Sequence, residues 1–122
     1  MRAERDASVS GPVVNGFGPR GFRIEQGYYP ALLMTPERAD GWSPPPFEAL
    51  DVAALEAILT PRPEFVLLGT GPDLRRPPRA LVAALSARMI GVEAMDSRAA
   101  ARAWGVLRGE GRRIAAALYP LT

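Results

Sequence analysis

The chain has 122 residues, 48% of them apolar, and a formal net charge of +2. It holds no cysteine and no histidine, and all fifteen of its positive charges are arginine. Disulfides, thiolate chemistry, histidine metal clusters, the Ser–His–Asp triad, Schiff bases on lysine and the P-loop lysine are thereby excluded.

A chain of this length makes one domain and buries roughly two thirds of its unfolded surface. No apolar run approaches the roughly 20 residues of a membrane-spanning helix. The opening residues alternate in charge (Arg2, Glu4, Arg5, Asp6) and lack the apolar stretch of a secretory signal. Residues 1–11 are therefore expected to be a flexible tail, and residues 12–122 the domain. Charge divides unevenly: residues 1–61 carry −3 and residues 62–122 carry +5. The basic half suits an acidic partner or an anionic ligand. The plainer reading is that its arginines solvate helix faces.

Residues 11–24 mix glycine, proline and β-formers, which predicts two short strands around a glycine-rich turn. Asn15-Gly16 suits a turn, because both residues tolerate positive φ. Residues 28–34 read as a further strand, with Pro30 at an edge or bulge since it cannot donate to a ladder. Such an edge is also a candidate homodimer contact. Tyr28 and Tyr29 should face opposite ways. Residues 36–46, with Pro36, Gly41, Trp42 and Pro44-Pro45-Pro46, read as an extended connector.

Asp51 is placed to cap a helix that buries Val52, Leu55, Ile58 and Leu59, and Pro61 and Pro63 end it. Phe65-Val66-Leu67-Leu68 then forms a buried strand running into Gly69-Thr70-Gly71. Pro78 suits the first turn of a second helix, with Leu81, Val82, Leu85 and Met89 facing the core. Gly91 either caps that helix in the left-handed conformation or opens the next strand, to which Val92 and Met95 belong. Ser97 can cap a third helix to about Arg108, with Ala100, Ala101, Trp104 and Leu107 inward. Gly109-Glu110-Gly111 turns the chain into a last strand over 114–119, although its alanines alone would equally allow a helix. Strand–helix–strand–helix–strand predicts a largely parallel sheet with helical crossovers.

The turn Gly69-Thr70-Gly71 ends a buried strand, where α/β proteins often bind anions. Its amides and the Thr70 hydroxyl, with Arg75 and Arg76, make a candidate anion site. The dinucleotide fingerprint lacks its third glycine, because position 74 is leucine. The Walker pattern also fails. The plainer reading is a steric turn joining strand to helix. Asp96 lies at a strand end beside Ser97, and serves either as an acid or base or as a helix cap. Trp42 and Trp104 read as core anchors. No catalytic set, cofactor site or metal site emerges, and no nucleic-acid motif is present.

Several segments in order carry a family resemblance: Asn15-Gly16-Phe17-Gly18, Gly21-Phe22-Arg23-Ile24, the Trp42 loop, Leu68-Gly69-Thr70-Gly71, Gly91-Val92-Glu93-Ala94-Met95-Asp96 and Glu110-Gly111-Arg112-Arg113. Over about residues 12–121 the chain resembles the Mth-type domain of unknown function. That domain is shared by bacterial and archaeal proteins and by the mitochondrial complex I (NADH:ubiquinone oxidoreductase) assembly factor 3. The resemblance implies an α/β fold: a single three-layer domain whose mixed central sheet has helical crossovers, plus an N-terminal β-ribbon. It implies no established enzyme activity. For the mitochondrial relatives it implies a role in building complex I at or near the inner membrane, and so protein partners among respiratory-complex subunits or assembly factors. The location expected here is cytoplasmic, peripheral to the inner membrane. Where relatives usually carry Tyr-Asn in the third helix, this chain has Trp104-Gly105. A polar pair facing a pocket is lost there, and Gly105 weakens the helix by about 1 kcal/mol relative to alanine.

Overall fold

The computed structural model describes residues 11–122. The tail expected over 1–11 lies outside the described residues, apart from Gly11. Gly16–Gly18 (β1), Gly21–Ile24 (β2) and Gly27–Tyr29 (β3) form an antiparallel ribbon in that order. Glycine is required at the β1–β2 turn, where Gly21 has φ +111° and a Cβ would meet the Tyr29 carbonyl. The strand predicted over 28–34 is two strands. Pro30 cannot continue a ladder, and there the chain leaves the ribbon for the main sheet. Tyr28 is exposed and Tyr29 half-buried.

The main sheet has five strands in the order β5-β4-β8-β6-β7. Leu32–Met34 (β4) pairs antiparallel with Ala39–Gly41 (β5) and with Ala115–Leu118 (β8). Phe65–Gly69 (β6) pairs parallel with β8 on one side and with Gly91–Met95 (β7) on the other. The sheet is therefore mixed. β5 lies inside the segment expected to be a connector. Its residues are small or polar, and it exists because β4 offers it a partner.

Two α-helices cross between the parallel strands. Arg79–Ala87 (α1) joins β6 to β7, and Ser97–Gly109 (α2) joins β7 to β8. The two crossovers run in opposite directions across the sheet. Right-handed connections then put the helices on opposite faces. The cores follow. Leu81 and Leu85 of α1 pack with Val66, Leu68, Ala115 and Ala117 on one face. Ala100, Ala101 and Trp104 of α2 pack with Leu67, Ala116 and Leu118 on the other, where Phe22 and Ile24 of the ribbon join them. Alternate residues of β6 and β8 thus feed alternate cores, as the pleat requires. The three layers are α1 side, sheet, and α2 with ribbon.

The helix expected after Asp51 is a 3-10 helix, Val52–Ile58, and its cap holds: the Asp51 carboxylate accepts from the Ala54 amide at 3.1 Å. Val82 and Met89 are exposed rather than inward. Met89 lies past the end of α1, in the left-handed conformation with φ 65°. Its amide donates to the Ser86 carbonyl, and that of Ile90 to the Leu85 carbonyl, both at 2.9 Å. This is a Schellman cap with methionine in the glycine position. Gly91 therefore opens β7 and caps nothing. The α2 helix ends in the same motif, with Gly111 at φ 76°.

Candidate functional site

The parallel strands β6 and β7 end where the chain must cross back over the sheet. In open α/β sheets a crevice forms at such a reversal, outside the carboxyl ends of the strands. Here the head of α2 fills it. Ser97 is fully buried, and its hydroxyl accepts from the Gly71 amide at 2.9 Å and donates to the Tyr119 carbonyl at 2.7 Å. The Ser97 amide donates to the Gly71 carbonyl at 2.8 Å, and the Tyr119 amide to the Gly69 carbonyl at 2.9 Å. One serine thus ties the ends of β6, β8 and α2 together. Gly69 is what lets it approach. A Cβ there would lie 2.8 Å from Ser97 Oγ and 2.8 Å from Leu118 Cδ2. Gly71 supplies a φ of +108° for the turn itself.

Thr70 is equally committed. Its amide donates to the Met95 carbonyl at 2.8 Å, and its hydroxyl to the Asp73 carbonyl at 2.7 Å. The same hydroxyl accepts from the Arg75 amide at 3.0 Å. The Arg75 guanidinium folds back to donate Nε and Nη2 to the Thr70 carbonyl, at 3.0 and 2.8 Å. It also lies 4.2 Å from the centre of the Phe47 ring. An anion at this turn would compete with internal acceptors for the amides of both Thr70 and Gly71.

Of the six residues singled out by sequence, five come together. Gly69, Thr70, Gly71 and Arg75 form the turn, and Asp96 adjoins it through Ser97. Arg76 is exposed and joins none of these bonds. Asp96 is the cap of α2, with its carboxylate accepting from the Ala99 amide at 2.9 Å. It follows β7 rather than lying in it. The capping role considered for Ser97 belongs to Asp96, and this frees the Ser97 hydroxyl for the turn.

Tyr119 completes the region from the other core. Its ring packs edge-on against Trp42 and Phe47, with centroids 5.1 and 5.2 Å away. Its hydroxyl donates to the Pro45 carbonyl at 2.8 Å, which pins the proline connector to the sheet. Burial pushes the phenol up to about 12, against the pull of the Arg75 charge and with a small push from Glu48. Neither Tyr119 nor the role of Ser97 was visible in the sequence, because their partners lie 22 to 74 positions away. Trp104 is fully buried in the α2 core, and its Nε1 donates to the Pro12 carbonyl at 2.8 Å. Beside it, Gly105 faces open space. Among the described residues no group of acidic side chains is placed to hold a metal ion.

Fold and turn together define a small α/β protein: a mixed sheet between two helical layers, closed at the β6 end by its own side chains. The chain belongs to the family of proteins of unknown function DUF498/DUF598, whose match spans residues 14–119. It is 36% identical over 121 residues to an uncharacterised protein of Rhodobacter capsulatus, covering 98% of this chain and 94% of that protein. It is 31% identical to the NADH dehydrogenase [ubiquinone] 1 alpha subcomplex assembly factor 3 of Danio rerio, covering 96% of this chain and 68% of that protein. The solution structure of a Bordetella pertussis protein, described as a Mth938-like domain, superposes with a TM-score of 0.76 at 26% identity, covering 90% of this chain and 86% of that one. The resemblance drawn from the sequence motifs is therefore correct in family and in fold.

Proposed function

We propose that this protein is a non-enzymatic accessory module that binds other proteins and aids assembly of respiratory complex I. One observation carries the reading. The similarity to the zebrafish assembly factor covers 96% of the chain, so it embraces the whole α/β domain and not a shared fragment. The residue inventory supports it, since histidine, cysteine and lysine are all missing. So does the turn at Gly69-Thr70-Gly71, whose polar groups hold the fold together. Among the described residues, no helix is long and apolar enough to cross a membrane. The protein would then work from the cytoplasmic side, peripheral to the inner membrane, on subunits or on other assembly factors.

Deletion of the gene tests this. Membranes of the deletion strain should hold less assembled complex I by native gel and by NADH oxidation, and tagged protein should co-purify with complex I subunits. Normal levels of assembled complex in the deletion strain would remove the assembly role.

A further inference from the structure

Arg38, Arg88, Arg112 and Arg113 each hold a carboxylate at 2.7–2.8 Å. Arg20 and Arg98 hold none among the described residues. Each lies over a ring instead: Arg20 is 5.3 Å from the centre of Tyr28, and Arg98 4.9 Å from that of Phe17. Stacking fixes the plane of a guanidinium and leaves its N–H edge for an acceptor.

Both arginines line one groove of about 290 Å³ between the β1–β2 turn and the head of α2, with Pro30 and Leu121 in its wall. A second hollow of about 400 Å³ shares Arg20 and Pro30 and adds Gln26 and Tyr28. No acidic side chain lines either one, although Thr122 brings a terminal carboxylate to the lining of the first without pairing with Arg20 or Arg98. Arg98 also stands in the first turn of α2, where the helix dipole is positive and a cation is unfavourable. The capping Asp96 carboxylate offsets part of that positive field but forms no ion pair with Arg98. A bound anion would add to the offset. The two hollows run on from one another and stay open to solvent, whereas compact ligands are usually enclosed over most of their surface. The charge calls for carboxylates, and the shape calls for a stretch of chain.

We propose that this groove takes an extended acidic segment of a partner protein, its carboxylate held by Arg20 and Arg98 and a neighbouring apolar side chain set against Leu121 and Pro30. The proposal rests on the reading of the chain as a module that binds other proteins.

The test uses the isotopically labelled full chain and a capped peptide, Gly-Glu-Leu-Glu-Gly, with Gly-Gln-Leu-Gln-Gly as its neutral counterpart. The acidic peptide should shift the amide resonances of Gly18 and Gly21 and the Nε resonances of Arg20 and Arg98. The glutamine peptide should bind about tenfold more weakly or less, as should the acidic peptide to Arg20→Glu or Arg98→Gln. Unchanged melting temperatures of the variants show that the fold is intact. Inorganic phosphate is the second probe. If it displaces the peptide and shifts the same resonances as strongly, the groove is a small-anion site and the proposal is overturned. It is equally overturned if both peptides act alike, or if the shifts fall elsewhere. Failure here, with co-purification retained by both variants, leaves the assembly reading standing. Normal levels of assembled complex I in the deletion strain, with peptide binding retained, leave the groove and remove that reading.

Discussion

The Ser97 hydroxyl receives the Gly71 amide at 2.9 Å across 26 positions of sequence. It donates in turn to the Tyr119 carbonyl, so removal of one oxygen leaves two buried main-chain groups without a partner. Such groups lose their full hydration and gain nothing. Ser97→Ala should cost about 2–6 kcal/mol on that basis, since each orphaned group costs about 1–3 kcal/mol. Urea unfolding measures it as a lower midpoint at unchanged slope.

Two glycines make a paired experiment. A Cβ on Gly69 would press on Ser97 and Leu118, while one on Gly105 meets nothing within 4 Å. Gly69→Ala should destabilise by about 1–3 kcal/mol through overpacking. Gly105→Ala should stabilise by up to about 1 kcal/mol, because alanine favours the helix. Thermal melting should move in opposite directions for the two.

Met89 bears the cost of a left-handed backbone without needing its side chain, which is exposed. Met89→Gly keeps the Schellman bonds and removes the steric penalty. It should raise stability by up to about 1 kcal/mol, the gain being trimmed by the greater freedom of glycine in the unfolded chain. Chemical denaturation reads this directly, and a loss of stability would show that the Met89 side chain packs to advantage.

The Tyr119 phenol gives the alkaline limit. Burial holds its pKa at about 12 in the folded protein. In the unfolded chain a tyrosine titrates near ~10. The folded state binds the proton more tightly, so its contribution is complete below pH ~10 and is lost as pH rises from ~10 to ~12. Stability of the parent should fall across that window. In Tyr119→Phe that part of the fall should vanish, at the expense of the bond to Pro45.

Much of this fold could be read from local pattern. Phe65–Leu68 running into glycine marked β6, and the spacing of Leu81 and Leu85 marked α1, because buried faces impose their period on the sequence. Pro30 marked a break for a covalent reason. The misreadings share a different cause. β5 has no pattern of its own and is held by pairing with β4. The 3-10 helix after Asp51 carries the same capping and apolar signals as an α-helix. Met89 fitted the apolar period of α1 by type, although the helix stops before it. At the turn, sequence located Gly69, Thr70, Gly71 and Arg75 and read Asp96 as a cap, but it did not show the internal bonds that commit Thr70, Gly71 and Arg75. Ser97 acts through partners 22 and 26 positions away, and no window of sequence contains them.

The strand β8 lies between β4 and β6, yet it is the last strand of the domain to be made. Before Ala115–Leu118 arrives, the β5-β4 pair and the β6-β7 pair have no strand in common. Each presents a raw edge for as long as the ribosome is still at work. Synthesis from the N-terminus therefore leaves the sheet in two pieces until β8 is made. Closure of the sheet waits on β8, and a chain stopped short of it is left with two strand pairs that share no strand.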